Sequence, residues 1–412
     1  MNVVLKIEKT LKKQYFFPSL IALVLSTLFI GYAPSSIALG ILVFFSLWYA
    51  VVNRKKNKME YALLLPVLIY ALFVLSLFWT VNIDLTRRGL ERTVALCLVP
   101  LIFLFLPKFS LNQTKLVLEY FTKANFLYGV FFLIVGAVNY FTTRSFSVFT
   151  YHELVSILNL NAIYVSTYFL ISLSYLLSKT EKNKFDKFGI LFFIALIILL
   201  SSKMIFFILI LILITYIVWF NKFSFLRNYK TVIIVFIVAL TSTNVIDRFI
   251  EEKTTNVNEV LHNEKFSKVY PWTGTSMRLL QLRILYEQIV EESIFWNGFG
   301  LYASRENLKK RHLKFDTYHG YHTKNYHNQY AQIFSETGIF GLSLLVLILL
   351  INFMKALKLK SFLFLSFAIT IPILFFSESF LWVHRGIIFF ILLYCLFNRT
   401  AFENLNSKAN KL

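Results

Sequence analysis

Apolar residues fall in long runs along most of this 412-residue chain, broken by short clusters of Lys, Asn and Ser. About twelve runs stand out, near 15–32, 36–52, 61–79, 93–107, 121–141, 160–178, 188–202, 204–220, 231–246, 330–354, 361–377 and 386–398. About 20 apolar residues in a helix cross roughly 30 Å of hydrocarbon. A membrane β-barrel would alternate apolar and polar positions instead, and these runs do not alternate. The pattern predicts an all-α polytopic membrane protein of about 12 transmembrane helices. One large polar loop, about 247–329, separates helices 9 and 10. The organisation expected is one integral membrane domain, 1–412, carrying this loop as an insertion.

Inside the loop, residues 276–292 have helical periodicity, with Ser276 placed to cap them. Leu279, Leu282, Tyr286 and Ile289 form an apolar stripe; Arg278, Gln281, Gln288 and Glu292 follow a polar face. Arg283 and Glu287 are four apart and suited to pair. Trp296-Asn297-Gly298-Phe299-Gly300 reads as a turn with interfacial aromatics.

Composition agrees: 58% hydrophobic residues, 18% aromatic and 15% charged, where a soluble domain has about 25% charged. The net charge of +21 does not indicate nucleic acid, because the basic residues form small clusters between spans and not one patch. Lys6, Lys9, Lys12 and Lys13, then Arg54, Lys55, Lys56 and Lys58, then Lys179, Lys182, Lys184 and Lys187 crowd alternate segments. The other short segments hold only Arg87, Arg88, Arg92, Arg144, Lys203 and Arg385. Short loops rich in Lys and Arg stay cytoplasmic, so both termini are expected in the cytoplasm and the large loop outside. The first run is long for a signal peptide and reads as an uncleaved span. Cys97 and Cys395 read as buried small hydrophobes, with no disulfide or metal thiolate.

Candidate chemistry concentrates where the loop re-enters the membrane, His327 to Gly341. A histidine with a free pKa near neutrality suits abstraction of a hydroxyl proton; an ordinary interfacial histidine with a packing helix behind it fits equally well. Glu336 follows within the next turns, and a carboxylate at a membrane boundary needs a partner. Gly338 and Gly341 would share a helix face and permit close helix contact. Arg87, Arg88, Arg92, Lys203, Arg278 and Arg385 are expected on the outer face. They suit a pyrophosphate, or membrane lipid phosphates by snorkelling. His312, His319, His322 and His327 include a His-x-x-His spacing, but a solvated basic loop explains it better and no metal site is expected. His152, Glu153 and His384 read as boundary residues that are also placed to meet an acceptor. No Walker loop, dinucleotide motif or Gly-x-Ser-x-Gly is present.

These residues resemble the O-antigen ligase and polymerase superfamily. Its hallmark is His followed by Asn, Ser or Gln, nine residues, then Gly-x-x-Gly, at the end of a large periplasmic loop. Here that is His327, Asn328, residues 329–337, Gly338 and Gly341. Ser276-Met277-Arg278 matches the Ser-x-Arg that opens the family's loop helix, and Gly298-Phe299-Gly300 its Gly-x-Gly turn. Lys203 stands where the family usually has Arg after Ser. Leu342 stands where the ligases tend to have Thr, which leaves ligase and polymerase both open.

The resemblance implies metal-independent, cofactor-free, inverting glycan transfer from undecaprenyl diphosphate to a hydroxyl, at the periplasmic face of the bacterial inner membrane. His327 would be the base. Arg278 and Lys203, assisted by Arg87, Arg88 or Arg92, would hold the diphosphate, with Asn328 or Glu336 orienting the base. The leading expectation is an O-antigen ligase with lipid A–core as acceptor. Alternatives are a polymerase acting on a growing glycan and a protein O-oligosaccharyltransferase. A transporter of lipid-linked sugars is the rival class, and would need charged or broken helices near the midplane.

Overall fold

The structure is a computed structural model that describes residues 13–53, 59–200, 202–220, 257–266, 272 and 274–401. Helices α1 (Phe16–Thr27), α2 (Tyr32–Val52), α3 (Leu64–Leu75), α4 (Ile83–Thr93), α5 (Ala95–Phe105) and α6 (Leu111–Thr143) make the first half. Then come α7 (Ala162–Ser178), α8 (Lys184–Leu199) and α9 (Lys203–Phe220). The loop contributes α10 (Val257–His262), α11 (Gly274–Glu291) and α12 (Ser304–Lys314). Helices α13 (Gln329–Lys358), α14 (Phe362–Phe375) and α15 (His384–Arg399) close the chain. The strand content described is one parallel pair, Phe109–Ser110 with Thr400–Ala401.

The chain is an all-α polytopic membrane protein. Every predicted span has a helix except 231–246, which lies outside the described residues, as does the start of the loop. By length and hydropathy, five of the described segments can cross a membrane: Tyr32–Val52, Tyr61–Phe78, Leu111–Thr143, Lys203–Phe220 and Gln329–Lys358. Several others are shorter, because polar caps and breaks cut the apolar runs. Ser110 and Gln113 form a capping box that starts α6 ten residues before the predicted span. Helices α7 and α15 are apolar on all sides and almost wholly buried, as such helices must be. Around them, Phe44, Leu47, Ile134, Phe141, Ile214 and Leu350 are exposed on helices of membrane length and supply the lipid-facing surface.

Helix α9 runs antiparallel to α14. The Tyr216 and Phe220 rings near its end lie against Phe362 at the start of α14. At 1.5 Å per residue, Lys203 is therefore level with the far end of α14, where Ser377 and Glu378 follow.

One expectation needs correction. Gly338 does not lie on a continuous helix face: it sits at φ 62°, ψ −155° and breaks α13. The segment 295–300 fills the break. Phe299 N donates to Ser335 O at 2.8 Å, Gly300 N to Glu336 O at 2.9 Å, and Ile339 N to Phe295 O at 2.8 Å. At Gly341 an added Cβ would first meet the Thr337 and Ile333 side chains of its own helix. In α11, Gln281 and Gln288 of the polar face are buried: Gln281 Nε2 donates to the Asn325 carbonyl and Gln288 Oε1 accepts from the Tyr326 hydroxyl, while the other polar atom of each amide has no partner among the described residues. Leu282 and Tyr286 of the apolar stripe are exposed.

Candidate functional site

The turn between α14 and α15, residues 376–382, ties the loop to the bundle. Asn328 caps α13: its Oδ1 accepts from Ala331 N at 3.0 Å, and its Nδ2 donates to Phe376 O at 3.3 Å. Gln329 Oε1 accepts from Leu381 N at 2.6 Å. Tyr330 OH donates to Pro372 O at 2.9 Å. These bonds fix the first turn of α13 against the 376–382 turn and so fix His327, one residue before the cap.

His327 has φ 46°, a left-handed backbone rare for non-glycine residues. Its N–H donates to Asn325 Oδ1 at 2.9 Å. The imidazole Nδ1 lies 3.5 Å from Glu378 Oε2. That is long for a hydrogen bond, and Oε2 has no hydrogen-bond partner among the described residues. Glu378 is 3% exposed. A buried carboxylate thus aims an unused lone pair at Nδ1, which leaves Nε2 for an incoming hydroxyl. A carboxylate behind a histidine fixes the tautomer with the proton on Nδ1 and stabilises the imidazolium once it forms.

Arg278 stands one residue along. Its Nε donates to Ser377 O at 3.0 Å and its Nη1 to Gly274 O at 3.0 Å. Both acceptors are neutral carbonyls, and among the described residues no carboxylate pairs with the guanidinium.

Of the sequence-predicted residues, the structure brings His327, Asn328 and Arg278 together at this turn, with Lys203 at the same level on the neighbouring helix pair. Glu336 is buried nearby, but its Oε1 accepts from Tyr302 N and from Gln332 Nε2, each at 3.0 Å. The carboxylate that faces His327 is Glu378. Arg92 lies over the Tyr302 ring, 5.6 Å from its centroid. Arg87 and Arg88 are exposed on α4. His152 accepts from Ala162 N at 3.2 Å and caps α7; His384 Nε2 lies 2.8 Å from Ser35 Oγ.

Sequence reasoning missed Glu378, Tyr302 and Trp382. One signal was there: Ser377-Glu378-Ser379 interrupts two apolar runs, and an acid at a membrane boundary calls for a partner.

An apolar groove leads into this turn from the side. One open recess is lined by Leu282, Ile289, Asn328, Tyr330, Val346 and Phe376. A second lies between α13 and α14 along Tyr330, Val346, Phe353 and Pro372. Tyr330 and Val346 line both.

Among the described residues, no three His, Cys, Asp or Glu side chains converge as metal ligands. His312 is buried, with Nδ1 3.1 Å from Thr317 Oγ1. Burial, and then the charge of His322, push its pKa down to about 4. The unfolded chain takes up a proton near pH 6.5, where the folded loop refuses it. Loop stability is therefore full above about pH 6.5 and falls as the pH drops towards 4, by up to about 3 kcal/mol. Limited proteolysis around α12 at pH 7 and pH 5 is expected to cleave faster at pH 5. His312→Gln is expected to lose that pH difference, and an unchanged difference in it would assign the effect elsewhere.

No curated protein matches the chain. Residues 188–346, from α8 through the loop and His327 to the middle of α13, match the model of the family described as O-antigen ligase. The His327–Gly341 stretch lies within that match, so this part of the chain is similar to the O-antigen ligase family.

Proposed function

We propose that the protein transfers a glycan from undecaprenyl diphosphate to an acceptor hydroxyl at the periplasmic face of the inner membrane, as an O-antigen ligase with lipid A–core as acceptor. The observation that carries this reading is the arrangement at the 376–382 turn. A histidine backed by a buried carboxylate stands beside an arginine bonded to neutral carbonyls, at the head of an apolar groove.

The acceptor oxygen attacks the anomeric carbon while its proton passes to His327 Nε2. The bond from that carbon to the diphosphate oxygen breaks, and the anomeric centre inverts. Glu378 stabilises the imidazolium. The leaving diphosphate gains negative charge, and Arg278, with Lys203 level with it, holds that charge as it develops. A diphosphate leaves without needing a proton, so cations suffice. The donor's polyprenyl tail lies in the groove between α13 and α14, under Leu282 and Ile289. Arg87 and Arg88 are on exposed α4, away from these contacts, and take lipid phosphates.

Arg278→Ala is expected to raise the donor KM about 10-fold or more, the worth of one charge-assisted contact. Unchanged donor KM and turnover would remove Arg278 from the diphosphate site.

A polymerase shares this donor chemistry and differs in its acceptor, and Leu342 leaves both open. Glycan analysis of a deletion strain separates the two. Polymer left on the carrier with bare core indicates a ligase; single repeat units on the core indicate a polymerase. Intact surface glycan in that strain would overturn both.

A further inference from the structure

Tyr302 is anchored at three points. Its N–H donates to Glu336, its hydroxyl donates to Trp382 O at 2.6 Å, and its ring stacks on Trp382 with centroids 3.9 Å apart at 8°. Arg92, from the last turn of α4, lies over the ring. Arg305, from the first turn of α12, donates its backbone N–H to the carbonyl of the same tyrosine at 3.4 Å. Both arginines are exposed. Among the described residues, neither has an ion-pair partner. Glu306, the nearest exposed acid in sequence to Arg305, accepts from Asn82 Nδ2 at 3.1 Å. Glu336 is buried and already bonded to Tyr302 and Gln332.

The Arg92 guanidinium is thus held over the Tyr302 ring, Arg305 is tied to the same residue through its backbone, and neither has a counter-charge among the described residues. Arg305 is also at a helix N-terminus, where the macrodipole repels a cation and attracts an anion. An oxyanion bound there relieves both conflicts, and the guanidinium fork matches a carboxylate or phosphate. The place also matters. Tyr302 bonds to Trp382 O, and Arg278 bonds to Ser377 O. Five residues of backbone span at most about 18 Å, so this pair is close to the reacting turn but at its other end.

We propose that Arg92 and Arg305 form an oxyanion site on the acceptor side, which takes the carboxylate or phosphate of an acidic saccharide next to the reacting sugar. The acceptor assignment rests on the transfer reading above; the binding itself does not.

The test is arginine modification by phenylglyoxal of the full chain in phosphatidylcholine nanodiscs, read peptide by peptide at matched ionic strength. Glucuronate and glucose 1-phosphate are the probes and glucose is the control. Both acidic probes are expected to slow modification of Arg92 and Arg305 about tenfold, leaving Arg87 and Arg88 on the same helix unprotected; glucose is expected to do nothing. Arg305→Gln is expected to abolish protection of Arg92. Equal protection of all four arginines, no protection, or the same protection from phosphatidylglycerol without sugar would overturn the site. Protection lost while the parent protein still transfers glycan removes this inference alone. No transfer by the parent removes the proposed function and leaves the binding result standing.

Discussion

His327→Asn is expected to lower glycan transfer by about 10²–10⁴-fold, the usual worth of a positioned general base, with donor binding intact. Asparagine is the sharper substitution here because His327 sits at φ 46°. Asn tolerates left-handed backbone better than most residues, so the junction keeps its shape while losing its base. His327→Ala removes the same imidazole but adds strain, and a loss seen only with alanine would point to folding. Glu378→Gln keeps the volume and removes the charge behind Nδ1. It is expected to lower kcat, with a smaller effect on donor KM, because the imidazolium forms only as the proton moves. The measurement is transfer from purified lipid-linked glycan in nanodiscs. Full rates in both His327→Asn and Glu378→Gln would sink the assignment of this pair.

Much of this site was legible because its parts lie close in sequence. His327, Asn328 and Gly338 are in one stretch, and the nine-residue spacing is readable without a structure. Arg278 was found from its place in the loop helix. The spans were legible because burial in lipid demands unbroken apolar runs. What escaped was set by contacts far apart in the chain. Glu378 belongs to a turn two spans beyond His327, and no local periodicity joins them. Tyr302 and Trp382 are 80 residues apart. The contacts of α11 escaped for the same reason: Gln281 and Gln288 reach the Asn325 carbonyl and the Tyr326 hydroxyl, which lie far along the loop. The glycine pair misled because Gly-x-x-Gly signals close packing on a helix face as readily as a backbone that needs positive φ.

That last ambiguity yields the second large effect. Gly338→Ala is expected to abolish transfer while the spans stay inserted. The backbone at φ 62°, ψ −155° is one that residues with a Cβ avoid, at a cost of about 1–3 kcal/mol. The added Cβ would also collide with the Trp296 carbonyl, which is backbone and held by its neighbours. To relieve this, α13 must straighten or the 295–300 segment must lift. Either change breaks the bonds from Phe299 to Ser335 and from Gly300 to Glu336, and with them the seat of Tyr302 on Glu336. Gly341→Ala is a useful contrast. Its Cβ would meet the Thr337 side chain first, and a side chain gives way more easily than backbone, so a milder loss is expected. Hydrogen exchange at the Phe299 and Gly300 amides reads the difference directly. Fast exchange and no transfer in Gly338→Ala, with intermediate values in Gly341→Ala, is the expected order. Slow exchange in Gly338→Ala would mean that the break in α13 is dispensable and that the loop is held to the bundle by the 376–382 turn alone.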